Sequence, residues 1–160
     1  MTRIGCTGHQ NVTGMTRRHV ATAVASGLDN FTDDKLIGYT SLAEGADQLI
    51  ALSVLAAGGE LHVVIPSADY ESSFQSASAR DVYLALLGLA TEKRTLPFEA
   101  PSEDAYLAAG REIADCCDVL LAVWDGESAA GKGGTGDVVA YARRQGVDVR
   151  VIWPDGSKRG

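Results

Sequence analysis

No apolar run in these 160 residues approaches the ~20 needed for a helix to cross a bilayer; the longest candidate, Asp118–Trp124 with its neighbours, has the length of a strand. A soluble chain with no membrane partner is therefore expected. Met1–Gly5 runs straight into a strand-like segment, without basic, apolar and cleavage regions in series, so no export signal is expected either. Cysteine is scarce and poorly spaced for cross-linking. Cys6, Cys116 and Cys117 are odd in number and two are adjacent, which suits neither a disulfide framework nor a Cys-x-x-Cys metal or redox site. They read as small buried hydrophobes in a reducing cytoplasm. Basic residues are short as well: 14 Lys plus Arg stand against 21 Asp plus Glu, a net charge of -7. That balance works against broad attraction to a phosphate backbone, so nucleic acid is not expected as a partner. A small phosphorylated ligand escapes this exclusion, because a nest of backbone N–H groups holds an anion without net positive charge.

What the chain does have is a 46% apolar content in short runs that alternate with longer amphipathic stretches. This is the pattern of βαβ units in one α/β domain: a single Rossmann-like three-layer domain with a mostly parallel sheet flanked by helices. The domain is expected over residues 1–154, with the polar, glycine-containing 155–160 as a disordered tail. Five strands can be placed, at Arg3–Cys6, Lys35–Thr40, Leu61–Ile65, Asp118–Trp124 and Val149–Trp153. A further short strand is placed at Thr95–Pro97. Helices are expected from about Thr16 to a stop at Gly27, from the turn at Ser41–Asp47 to Gly58-Gly59, and in one or two pieces over Asp69–Ala90. Two more follow, one over Ser102–Cys117 with Ser102 as N-cap and one from about Val138 to Gln145, closed by Gly146.

In an open parallel sheet, ligands bind where the strands end and their connections diverge. Three segments rich in small or hydrogen-bonding residues fall there: Thr7-Gly8-His9-Gln10, Ser41-Leu42-Ala43-Glu44-Gly45-Ala46-Asp47, and Asp125 to Asp137. The candidate ligand-binding residues are Gly8, His9 and Gln10 in the first and Ser41, Glu44, Gly45 and Asp47 in the second. In the third they are Asp125, Gly133, Gly134, Thr135, Gly136 and Asp137. Glycine is poor helix material, at ~1 kcal/mol per residue against alanine, so the cluster after Gly131 calls for a reason. Gly133, Gly134 and Gly136 free the backbone to aim N–H groups at a phosphate, and the Thr135 hydroxyl adds a donor. Asp137 reads equally as a cap for the next helix or as a partner for a ribose hydroxyl or metal. His9 could bond a phosphate or serve as acid or base, while His19 and His62 read as structural. Glu44 and Asp47, three apart at a helix start, could share a face or simply complement the helix dipole, with Asp47 in a cap role.

Sharper motifs fail. The dinucleotide fingerprint G-x-G-x-x-G is not met by Gly5, Gly8 and Gly14. Lys132-Gly133-Gly134-Thr135-Gly136 resembles a deviant Walker loop, but Asp137 and Val138 stand where its lysine and hydroxyl belong, so phosphoryl transfer is not supported. No nucleophile and base can be paired from spacing, scattered carboxylates do not make a metal site, and no cofactor is called for.

Together, Ile4-Gly5-Cys6-Thr7-Gly8-His9-Gln10, Ser41 to Gln48, and Asp125-Gly126 followed by Gly133-Gly134-Thr135-Gly136-Asp137 resemble the SLOG superfamily. It groups the lonely-guy phosphoribohydrolases, bacterial DNA-processing protein A and molybdenum-cofactor carrier-like proteins. The resemblance spans Ile4 to about Trp153 and implies a Rossmann-like sheet, frequent homo-oligomers and a nucleotide or nucleotide-derived ligand. The hydrolases of the group carry P-G-G-x-G-T-x-x-E; with Gly134-Thr135 on its G-T, the glutamate position falls on Val138. The acidic balance and the lack of a basic stripe argue against the DNA-binding role of the DNA-processing branch. The expected function is binding of a nucleotide-like phosphorylated ligand, as a sensor or carrier. The alternative is an N-glycosidase on nucleoside monophosphates in which Glu44 or Asp137 replaces the glutamate.

Overall fold

The computed structural model describes residues 1–10, 14–31, 35–127 and 134–154. Its elements are β1 (Thr2–Gly8), α1 (Gly14–Leu28), β2 (Leu36–Thr40), α2 (Ala46–Ala56), β3 (Glu60–Ile65) and α3 (Ala77–Leu89). They continue with β4 (Glu92–Thr95), α4 (Glu103–Cys116), β5 (Val119–Val123), α5 (Thr135–Arg144) and β6 (Asp148–Ile152). Short 3₁₀ turns lie at Asp29–Phe31 and Tyr70–Ser73. All strand pairs are parallel, in the order β4-β3-β2-β1-β5-β6. The order reverses at β1: the chain leaves it towards β2 on one side, and β5 occupies the other.

Parallel neighbours need crossover connections, which fixes the layers. One core packs Val20 and Val24 of α1, Ile50 and Val54 of α2 and Leu86 of α3 on one face of the sheet. The other packs Ile113 and Ala114 of α4 and Val138 and Ala142 of α5 on the opposite face. Along β5, Val119, Leu121 and Val123 join the first core and Leu120 the second. A strand buried on both faces must be apolar throughout, which is why this segment is the most apolar strand of the sequence.

The expected elements are present, with shifted ends. Gly27 does not stop α1, which runs through Leu28 into a 3₁₀ turn. Gly58 and Gly146 do follow α2 and α5, with φ of +84° and +78°. Ser102 caps α4 by accepting from Ala105 N at 3.0 Å. The strand expected at Thr95–Pro97 is Glu92–Thr95, an edge strand exposed at all four residues. Glu-Lys-Arg-Thr carries no apolar alternation, so only its pairing with β3 defines it. Residues 155–160 lie outside the described residues. Among the described residues, no helix is long and apolar enough to cross a membrane.

Two helix glycines have opposite surroundings. A Cβ on Gly110 of α4 would lie 2.4 Å from Cγ2 of the buried Val138 on α5, whereas one on Gly27 would meet nothing within 4 Å. Gly110→Ala should destabilise the fold by ~1–3 kcal/mol through overpacking, and Gly27→Ala should stabilise it by up to ~1 kcal/mol. Urea unfolding of the two variants checks both signs.

Candidate functional site

The first two predicted turns are pressed together at the carboxyl end of β1. A Cβ on Gly8 would lie 2.4 Å from the Cβ of Ala46 and 2.9 Å from that of Val123. Gly45 has φ +89°, and a Cβ there would lie 2.3 Å from the Gln10 carbonyl oxygen and 2.7 Å from that of His9. Through this approach Ala46 N donates to His9 O at 3.1 Å, while His9 N donates to Val123 O at 3.1 Å. The ends of β1 and β5 and the start of α2 are thereby joined at one point.

Behind that contact, Ser41–Gly45 is held by buried polar groups. Leu42 is fully buried and adopts a left-handed φ of 57°, an uncommon state for a large side chain. Its N–H donates to Thr40 Oγ1 at 3.0 Å. The Gln48 amide donates to Leu42 O at 3.2 Å and to Ala79 O at 3.0 Å, tying the loop to α3. Asp47, 8% exposed, accepts from Ala43 N at 3.3 Å. The cap role expected of Asp47 is not what forms: Gly45 is the N-cap of α2, and the Asp47 carboxyl turns back to the loop from the first helical turn. Burial pushes this carboxyl up to about 7, against the opposing pull of the Ala43 and Ser41 backbone groups.

His9 is placed by the third turn. Asp125 N donates to His9 Nε2 at 3.2 Å, and Asp125 Oδ1 also lies 3.2 Å from Nε2. The two contacts suit different states of Nε2: without a proton it accepts from the Asp125 N–H, and with one, in the neutral Nε2–H tautomer or the charged ring, it donates to the carboxylate. The Trp153 ring meets the imidazole edge-on, with centroids 5.4 Å apart. Asp125 Oδ1 also accepts from Glu127 N at 2.9 Å, closing a turn through Gly126 at φ +86°.

Helix α5 starts at Thr135, three residues earlier than expected, with Gly134 as N-cap and Asp137 in the first turn. Asp137 is therefore not the cap. Thr135 is buried, and a Cβ on Gly136 would make only ordinary contact with the Trp124 ring, at 3.6 Å. Gly133, like Gly131 and Lys132, lies outside the described residues. Val138 points into the core beside Gly110.

A cleft of about 300 Å³ opens at the same carboxyl edge, on the β3 side of His9. Gln10, Ala43 and Glu44 line it from the predicted turns, and Tyr70, Phe74 and Tyr106 from the β3–α3 connection and the first turn of α4. Tyr70 meets Phe74 and Tyr83 edge-on at 5.3 and 5.4 Å, and Phe74 stacks on Tyr83 at 4.8 Å. These aromatics were not among the predicted site residues. Aromatics spread between positions 70 and 106 form no sequence motif, and only the topology brings them together.

Neither a protein-family model nor a curated protein matches the chain. Solved structures do. DNA processing protein A from Streptococcus pneumoniae aligns with a TM-score of 0.68 at 18% identity, over 98% of this chain and 52% of that one. The chain thus spans about half the length of that protein. DNA processing protein A from Helicobacter pylori, described for its single-stranded DNA binding mode, aligns at 0.66 and 15%, over 99% and 68% of the two chains. The molybdenum cofactor binding protein from Rippkaea orientalis aligns at 0.59 and 15%, over 96% and 77%. At these identities the likenesses show a shared fold and do not single out one family. They also correct the expectation that nucleic acid is no partner. The Helicobacter protein, which contains this fold, is described for single-stranded DNA binding, so nucleic acid is not excluded as a partner, and the total charge of -7 cannot exclude it, because a strand meets a local surface.

The Asp47 carboxyl keeps its proton to about pH 7 in the folded chain, against 3.8 ordinarily. The folded state holds the extra proton between those values, so this group's stabilisation is full below about pH 4 and is lost as pH rises through about 7. Asp47→Asn keeps an acceptor for Ala43 without the charge. Relative to wild type it should gain on the order of 2 kcal/mol in unfolding free energy between pH 5 and pH 8. Denaturant titrations at the two pH values measure this, and an offset that does not change with pH would show that Asp47 titrates normally.

Proposed function

We propose that the carboxyl edge of the sheet binds a nucleotide or nucleotide-derived phosphorylated ligand, as a sensor or carrier. One observation carries the reading: the turns after β1, β2 and β5 meet where the strand order reverses, beside a cleft that takes Gln10 and Glu44 from two of them. The phosphate would sit at the start of α5, on the backbone N–H groups around Gly134–Gly136 and the Thr135 hydroxyl. Gly136 supports this placement, since among the described residues a Cβ there would make only ordinary contact, with the Trp124 ring at 3.6 Å. The ribose or base would lie near His9, Gln10 and Ser41–Asp47.

The second reading, an N-glycosidase, has Glu44 in its favour as a carboxylate lining the cleft. Against it, the position of the hydrolase glutamate is the core residue Val138. Calorimetric titration with AMP, ADP-ribose, cyclic nucleotides, nucleotide sugars and a short single-stranded oligodeoxynucleotide tests the proposal, with chromatography of the same mixtures for free base. At least one mononucleotide should bind below ~1 mM, lose tenfold or more in affinity in Gly134→Leu, and be recovered intact. Silence across the mononucleotides would refute the proposal, a response to the oligonucleotide alone would make the edge a strand-binding surface, and base release abolished by Glu44→Gln would establish the glycosidase.

A further inference from the structure

The cleft has a chemical character of its own. Among the described residues, its charged lining residue is an acid, Glu44, and its other polar side chains are neutral, including Gln10, Ser73, Gln75 and the tyrosines of the opposite wall. No lysine, arginine or histidine is among the described residues lining it. Among the described lining residues a phosphate would there face a carboxylate without a compensating cation, which disfavours the anionic end of a nucleotide in this cleft. A group rich in N–H or O–H donors meets the opposite situation. Glu44 Oε1 has one long hydrogen bond, from Ser76 Oγ at 3.5 Å, and a carboxylate has about four acceptor positions.

The opposite wall is aromatic and already fixed. Tyr70 is 4% exposed and meets the stacked Phe74–Tyr83 pair edge-on, while Tyr106 of α4 stands 6.4 Å from it, half-buried, at the cleft. A planar heterocycle laid on such a wall gains stacking without ordering the side chains first. At about 300 Å³ the cleft lies at the lower end of the range of small-molecule sites.

We propose that this cleft is the subsite for the nucleoside end of the ligand, selecting a ring that stacks on the partly exposed Phe74 and Tyr106, which the buried Tyr70 supports, and whose amino or hydroxyl groups donate to Glu44. The inference rests on the nucleotide-binding reading and gives it a direction. The phosphate lies over β5 at the start of α5, and the ring points away from it, across the end of β1 towards β3. Selection is by hydrogen-bond polarity and not by charge attraction.

The test compares AMP with adenosine, which has the ring and sugar but no phosphate, on the full chain by calorimetry, using Glu44→Gln, Tyr106→Leu and Tyr106→Phe. Circular dichroism confirms that each variant is folded. Glu44→Gln and Tyr106→Leu should weaken AMP and adenosine by the same factor, tenfold or more, and Tyr106→Phe, which keeps the ring, should hold AMP within threefold of wild type. If wild type binds AMP but both variants bind it equally well, the subsite assignment is overturned and the nucleotide reading stands. Tighter AMP binding in Glu44→Gln also overturns it, because the cleft would then face the phosphate. If wild type binds none of the nucleotides, the nucleotide reading itself falls and this assignment with it.

Discussion

The candidate site depends on one close approach of backbone to backbone, where Gly45 meets the carbonyls of His9 and Gln10 and Gly8 admits Ala46. Neither position has room for a methyl group, and Gly45 also needs a positive φ that other residues adopt only under strain. Because the contact joins the ends of β1 and β5 to the start of α2, the three turns cannot be placed independently. Gln10 and Glu44 share a cleft because their neighbours share this contact.

Behind it, the structure accepts unfavourable elements that a purely structural loop would avoid. Leu42 is left-handed and buried, Asp47 is a carboxyl withdrawn from water, and the Gln48 amide is spent on two backbone carbonyls. Each is over-determined by its neighbours, and together they fix the path of Ser41–Gly45, which carries Glu44. Strain and buried polar groups concentrated at one strand end are the mark of a segment shaped for a purpose other than stability. The Gln48 bond to Ala79 also extends the same restraint to α3, whose Tyr83 supports the aromatic wall.

How much of this was legible in the sequence differs between backbone and side chains. The order of strands and helices followed from apolar runs and periodicity, and failed where the edge strand Glu92–Thr95 had none to show. The small-residue turns were found, but glycine reads alike whether it makes room for a ligand or for the protein's own backbone. Gly8 and Gly45 proved to be filled by Ala46, His9 and Gln10, whereas among the described residues Gly136 has only ordinary contact with the Trp124 ring. Asp47 and Asp137 looked like caps, and glycine holds the cap in both helices. The aromatic wall was invisible because its members come from separate elements, and nothing in their spacing foretells that Tyr70 and Tyr106 meet.

Charge shows the same limit from the other direction. A net of -7 is a property of the whole chain, and it could not decide about nucleic acid, because binding is settled by the few groups at the crevice. Locally the edge is not uniform. The cleft presents a carboxylate and amides, while the start of α5 presents a helix N-terminus with its partial positive charge. A ligand with an anionic end and a donor-rich, planar end is complementary to that gradient in one orientation only. In the binding mode we propose, the acidic residue that weighs against a phosphate in the cleft would set the direction of the ligand, from the loop that the Gly45 contact holds in place.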